Sequence, residues 1–168
     1  HNEHLMVDGS KMSKSLGNLY TLADIHDRGF SASELRYSLL SGSYRTKINF
    51  SFDRMNEARI NLKRIAILVR DLGADLPSYE ELCECASSED TVPGPFESSW
   101  DALLGDLNAP AALGELFVAI KPLEKELAEG NVTDADKKAA LNGLALLIHA
   151  FGWLLPEPES IQVSLDVP

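Results

Sequence analysis

The 168-residue chain has little cysteine, no long hydrophobic run and, over its second half, little positive charge. Its two cysteines, Cys83 and Cys85, stand one residue apart in a polar stretch. Two thiols fall short of the four ligands of an ordinary structural zinc. They are also too close in sequence for an easy structural disulfide. They read as free thiols of a reducing compartment. No apolar run approaches the length that spans a bilayer, and the first residues show no signal-peptide pattern. The expectation is a soluble, cytoplasmic chain with no membrane contact. The net charge of −11 argues against a general nucleic-acid binder. The deficit is uneven, however. Residues 1–72 hold 11 Lys and Arg against 8 Asp and Glu, a net of +3; residues 73–168 hold 4 against 18, a net of −14. Phosphate contacts are therefore expected in the first part. The acidic remainder reads as a solvated outer face, or as a surface that repels wrong partners. His1 and His4 form His-x-x-His, but alternation along a strand would put them on opposite faces, so no metal site is expected. His26 reads as helix surface and His149 as a core or boundary histidine.

What the chain does have is concentrated near its start. Leu5-Met6-Val7 has a strand pattern, Asp8-Gly9 is a strong two-residue hairpin turn, and Ser10 to Met12 reads as the returning strand. The hairpin runs into Lys11-Met12-Ser13-Lys14-Ser15-Leu16-Gly17-Asn18. Two ammonium groups there can neutralise phosphate oxygens, and the serine hydroxyls can hydrogen-bond them. Gly17 and Asn18 are residue types that take φ > 0 easily. Met12 and Leu16 are expected to pack the loop. A loop of this make-up between rigid elements suits a lid over a polyphosphate; the plainer reading is an exposed basic loop with no ligand.

The rest reads as helices. Thr21 caps a short helix with Leu22, Ile25 and Phe30 inward and Gly29 as its stop. Ser31 or Ser33 caps a second, through Leu40, with Leu35, Leu39 and Leu40 as its buried side. Tyr44 to Phe50 reads as extended. A long helix from Ser51 or Asp53 to about Leu72 places Ala58, Leu62, Ile65, Val69 and Leu72 on one face. Arg59, Lys63 and Arg70 fall in a narrow arc elsewhere, either a solvated side or a phosphate-tracking edge. A linker near 73–95 includes a possible short helix from about Ser78 to Ala86. Three more helices are expected: Phe96, Trp100, Leu103, Leu104 and Leu107 on the first; Leu113, Leu116, Phe117, Ile120 and Leu127 on the second, begun by Asn108, bent at Pro122 and ended by Gly130; Leu141, Leu144, Ile148, Phe151 and Leu155 on the third, begun by Thr133 and stopped by Pro156. The fold class is mainly α: a small α/β module with an N-terminal β-hairpin, then an antiparallel helical bundle. The expected divisions are 1–52, 53–156 and a tail, 157–168, with one strand-like stretch at Ile161–Val167.

Residues 1–18 resemble the second signature region of class I aminoacyl-tRNA synthetases, and more narrowly that of the cysteinyl enzymes. Leu35-Arg36-Tyr37, Leu39 to Arg45 and Ile48-Asn49-Phe50-Ser51 resemble the stretch that follows it there. Asp106-Leu107-Asn108-Ala109-Pro110 resembles the family's Asp-Phe-Asn-Thr-Pro, with Leu and Ala substituted. The resemblance is dense over residues 1–52, sparse afterwards, and reaches about Leu155. It implies that residues 1–52 are a stem-contact module and that the bundle is of the anticodon-binding type. It implies a ligase that activates cysteine with ATP and Mg and passes it to tRNA(Cys), with Lys14 as the catalytic cation. Lys11, Ser13, Lys14 and Ser15 would bind ATP. Arg45, Arg59, Lys63 and Arg70 are the candidate tRNA contacts, and Arg45 could instead pair with a carboxylate. The family's His-Ile-Gly-His motif and its zinc ligands are not in this chain. The expectation is therefore a monomeric C-terminal part of a longer enzyme, inactive alone, with zinc held elsewhere. Two other readings stand beside it: the related cysteine–amino-sugar ligase of mycothiol synthesis, and a non-catalytic helical binding module.

Overall fold

A computed structural model describes residues 5–73, 80, 81, 84 and 92–157. The expectations placed on His1, His4, Cys83, Cys85 and the strand-like stretch 161–167 lie outside these residues. Of the possible short helix near 78–86, Glu80, Glu81 and Glu84 are described, and they are helical.

Leu5–Val7 (β1) and Ser10–Lys11 (β2) pair antiparallel with Val7 opposite Ser10. The turn between them puts Asp8 at φ 48° and Gly9 at φ 76°, both in the left-handed region that a two-residue type I′ turn requires. A third strand, Ile48–Phe50 (β3), lies parallel to β1 with Leu5 opposite Ile48 and Val7 opposite Phe50, so the order is β2-β1-β3. Reading 44–50 as uniformly extended missed this. Tyr44 and Arg45 form a turn, closed by the Thr46 N–H donating to the Ser43 carbonyl at 3.1 Å, and only the last three residues join the sheet.

Parallel strands need a crossover, and two helices supply it. Thr21 caps Leu22–Asp27 (α1) and Ser31 caps Ala32–Leu40 (α2), each in a capping box, with Asp24 and Glu34 reaching back to the cap. Ile25 and Phe30 are buried as expected, but Leu22 is 73% exposed because it is the first residue of its helix and faces outward. The buried face of α2 also differs from expectation. Ser33, Glu34, Tyr37 and Ser38 are inward, while Leu35, Leu39 and Leu40 are half-buried. The reason is that α2 is flanked by polar partners. Asn61 donates to the Tyr37 hydroxyl at 2.9 Å, and the Leu154 N–H donates to Ser33 Oγ at 2.8 Å.

Ser51 caps Phe52–Asp71 (α3), whose apolar face is the one the spacing gives: Ala58, Leu62, Ile65, Val69 and Leu72 are all buried. Glu97–Asp106 (α4) follows a short 3-10 turn at Gly94–Phe96. Phe96 is buried, but Leu104 and Leu107 are exposed. Leu107 ends α4 in the left-handed conformation, φ 51°, which turns it off the helix face. Ala109–Glu129 (α5) begins at the Asn108 cap, runs through Pro122 as one 21-residue helix and ends at Gly130. Asp134–Phe151 (α6) starts at the Thr133–Asp136 capping box. It stops at Gly152 (φ 65°), four residues before Pro156. The chain then turns back, stacking Trp153 on Phe151 and Tyr37 with ring centroids 4.4 and 5.3 Å apart.

Two apolar clusters result. The larger joins Tyr37 to α3, α5, α6, Phe96 and Trp153. Arg64 crosses from α3 to α5 in a two-pronged bond to Glu124 at 2.7 and 2.6 Å. The smaller lies under the sheet, where Val7, Ile25, Phe30, Phe50 and Met55 are buried together. At about 25 cal/mol per Å² of apolar area, a fully buried Met such as Met55 contributes roughly 2 kcal/mol. This smaller cluster is the platform on which the signature loop stands. Among the described residues, no helix is long and apolar enough to cross a membrane.

Candidate functional site

The loop leaves the platform at Lys11, the end of β2, and comes back to it at Tyr20, which packs on Phe50 and Phe52. Met12 packs against the small cluster, as expected. Leu16 does not pack: it is 64% exposed. The reason is a single 3-10 turn, Lys14–Leu16, which lifts residues 14–16 off the surface. Ser13 caps that turn, accepting from the Leu16 N–H at 3.3 Å, and Gly17 closes it at φ 67°, its N–H donating to the Lys14 carbonyl at 3.2 Å. The left-handed backbone explains the glycine there.

Asn18 completes the loop. Its side-chain oxygen accepts from the Ser13 N–H at 2.8 Å, and its amide nitrogen donates to the Lys11 carbonyl at 3.1 Å. One side chain thus ties the last residue of β2 to the first residue of the turn. From sequence alone, Asn18 stands out only for its backbone freedom. The signal available was its offset, five residues past Ser13, in a loop too short to fold on its own.

Of the predicted site residues, Ser13, Lys14 and Ser15 lie in this one turn, and Lys11 ends the strand that leads into it. Lys11 and Lys14 are exposed and have no ion-pair partner among the described residues. Ser13 Oγ and Ser15 Oγ lie 3.3 Å apart. The arrangement is one ammonium group on a small raised turn and a second at the strand end before it, with two neighbouring hydroxyls. It can take up a multiply charged anion, and among the described residues no carboxylate pairs with either lysine. Downstream, Asp24 receives the Thr21 N–H and hydroxyl at 2.7 Å each, which holds its carboxyl below the usual range.

The candidate tRNA contacts differ in their surroundings. Arg45 pairs with Asp106 at 2.7 Å and donates to the Tyr44 hydroxyl, which itself bonds Asp106 at 3.1 Å. The hydroxyl and then the carboxylate push the Arg45 guanidinium further toward its charged form. The carboxylate that Arg45 meets is Asp106, at the end of α4 and outside residues 1–52. Arg59 turns inward: it bonds Glu34 at 2.7 Å, donates to the Gly29 carbonyl and stacks 4.4 Å over the Phe30 ring. Lys63 is half-buried, and Arg70 is exposed and paired with Asp71 at 2.8 Å. Among the described residues no group of three or more His, Cys, Asp or Glu could hold a metal ion.

Comparisons with known proteins agree with the loop. Residues 1–60 match the family of tRNA synthetases class I (C), catalytic domain. That match runs through the sheet and the loop and ends within α3. The chain is 37% identical over 169 residues to a cysteine–tRNA ligase of Chlamydia abortus, covering 99% of this chain and 34% of that protein. It is 40% identical over 146 residues to one of Opitutus terrae, covering 87% and 28%, and 35% identical over 168 residues to one of Chlamydia pneumoniae, covering 99% and 35%. The chain spans about a third of the length of the curated relatives it matches. It is a relative, over nearly all its own length, of one segment of the class I cysteine–tRNA ligases.

Proposed function

We propose that this chain serves a cysteine–tRNA ligase, as the part that supplies the pyrophosphate-stabilising loop and the helices on which tRNA(Cys) docks. The observation that carries the proposal is the Lys11–Asn18 turn, with two exposed, unpaired lysines raised on a sheet platform. In the reaction, a cysteine carboxylate oxygen attacks the α-phosphorus of ATP. The bond from that phosphorus to the bridging oxygen breaks, and pyrophosphate leaves with the electron pair. Negative charge grows on the leaving group. A cation that meets it there binds the transition state more tightly than the ground state, and this accelerates the step. Lys14, on the turn itself, is the cation assigned to this role. Lys11, at the sheet edge, is the second, and Ser13 and Ser15 are the hydroxyl donors. The activated carboxyl then passes to the terminal ribose hydroxyl of tRNA, with AMP as the leaving group.

The expected helical bundle is read as the tRNA-side support of the same enzyme, and the net charge of −14 over residues 73–168 favours phosphate contacts within residues 1–72. Alone, the chain is expected not to catalyse activation, because it has no His-Ile-Gly-His nucleotide motif. The test is cysteine-dependent ATP–pyrophosphate exchange and cysteine charging of tRNA, measured on a full reading frame that contains this chain. Exchange with charging is the expected result. Exchange without charging would refute the tRNA step, and the absence of both would refute the proposal.

A further inference from the structure

The loop's two hydroxyl-bearing residues and its two lysines do not hold the turn in place by themselves. Lys11 and Lys14 make no ion pair among the described residues. Ser13 Oγ caps Leu16 at a long 3.3 Å, and the bond between the serine hydroxyls is also 3.3 Å. Met12 is the only loop residue from 12 to 18 packed on the small apolar cluster. The shortest contact in the loop is Asn18 Oδ1 with the Ser13 N–H, at 2.8 Å, and the same amide spans to the Lys11 carbonyl at 3.1 Å. Asn18 is half-buried; its bond to the Ser13 N–H is partly shielded from water, and its bond to the Lys11 carbonyl is exposed.

These bonds meet backbone atoms on either side of Met12. They fix the spacing between the end of β2, which carries Lys11, and the start of the turn, which carries Lys14. No other side chain among the described residues bonds both. We propose that Asn18 is the positioning residue of the loop: its amide clasp sets the separation and direction of the two lysines before any phosphate arrives. Asn is suited because one side chain offers an acceptor and a donor on a short, stiff stem. Asp offers two acceptors, so it keeps the bond to the Ser13 N–H and opposes the Lys11 carbonyl. Asn18 touches no reacting atom; it acts through Lys11 and Lys14. The inference deepens the proposed function and rests on it for its catalytic consequence, but the clasp itself does not.

Two readouts separate the two claims. The first is amide hydrogen exchange, followed by NMR, on the 168-residue chain with Asn18→Ala and Asn18→Asp. Loss of the clasp should speed exchange of the Ser13 amide about tenfold in Asn18→Ala. It should do so less in Asn18→Asp, which retains the acceptor. The Asp8 amide, bonded to the Phe50 carbonyl at 3.1 Å, reports the platform and should not change in either variant. An unchanged Ser13 amide in Asn18→Ala overturns the clasp. Acceleration at Asp8 equal to that at Ser13 overturns it as well, since the residue would then be supporting the sheet. The second readout is ATP–pyrophosphate exchange by the full-length protein. Asn18→Ala should lower kcat about tenfold with the KM for cysteine unchanged, and Asn18→Asp should fall between. A changed Ser13 amide with an unchanged kcat overturns the positioning role. A wild-type protein without exchange activity refutes the proposed function, and the clasp is then judged on the amides alone.

Discussion

Lys14 stands on a turn whose backbone is bonded internally, so removing its side chain should take away charge without unfolding the loop. In the full-length protein Lys14→Ala is expected to lower kcat for cysteine activation about 100-fold, the scale of losing one preorganised stabilising group. Cysteine binding, measured separately, should be spared. An unchanged kcat removes Lys14 from the mechanism. Glu34 is a different kind of residue. It is only 8% exposed, receives the Ser31 N–H at 2.6 Å and pairs with Arg59 at 2.7 Å. Glu34→Ala would leave the Arg59 charge half-buried and remove one of the two bonds of the α2 capping box. The pair is not fully desolvated, so the expected cost is about 2 kcal/mol in urea denaturation, below the range for a fully buried pair. Tyr37 provides a pH test. Burial pushes its hydroxyl up to about 12, against a smaller opposing effect of the Asn61 hydrogen bond. The folded chain therefore keeps this proton where the unfolded chain, near pKa 10, gives it up. Its contribution is whole below pH 10 and is lost as pH rises from 10 to 12. Tyr37→Phe should flatten that part of the stability profile.

At the scale of elements, α6 carries a tight fit that side-chain lists do not show. A Cβ on Gly143 would lie 2.1 Å from the Pro93 carbonyl oxygen and 3.0 Å from the Phe96 ring. The small residue lets the turn before α4 cross directly over α6. Gly143→Ala has to push these elements apart, so although alanine favours helix it should destabilise by about 1–3 kcal/mol, read as a fall in thermal midpoint. Periodicity made the main buried stripe of α3 legible, because an apolar face recurs at every third or fourth residue, but not Met55, Ala66 and Leu68, which are buried beside it. It failed on α2, which is packed on two sides and keeps a polar face inward, with Tyr37 meeting Asn61 and Ser33 meeting Leu154. It also failed at Leu104 and Leu107, which fit the period but lie where α4 ends. The caps at Thr21, Ser31 and Thr133 were readable because their chemistry is local. β3 was not, because a three-residue strand has no period, and its partner is 43 positions away.

On the scale of the whole molecule, the candidate site was legible as residue types, and its organisation was not. Lys11, Ser13, Lys14 and Ser15 could be named from sequence, whereas the Asn18 clasp and the inward turn of Arg59 depend on where the chain folds back. The Arg45–Asp106 pair links the turn after α2 to the end of α4, yet both side chains are at least half exposed. Pairs of that kind add little stability. Asp106→Asn should leave the urea midpoint unmoved, and a clear shift would show that the link holds the two regions together. The parallel pairing of β1 with β3 has a consequence for how the chain acquires its shape. The strand that supports the loop from within is sandwiched by a neighbour made much later in translation. Until Ile48–Phe50 has been made, β1 and β2 lack their third strand, and a two-stranded pairing on its own is marginally stable in water. Closing so wide a chain segment is an entropic barrier. The loop should thus be among the later parts of the first seventy residues to settle, after the helices between the strands have formed.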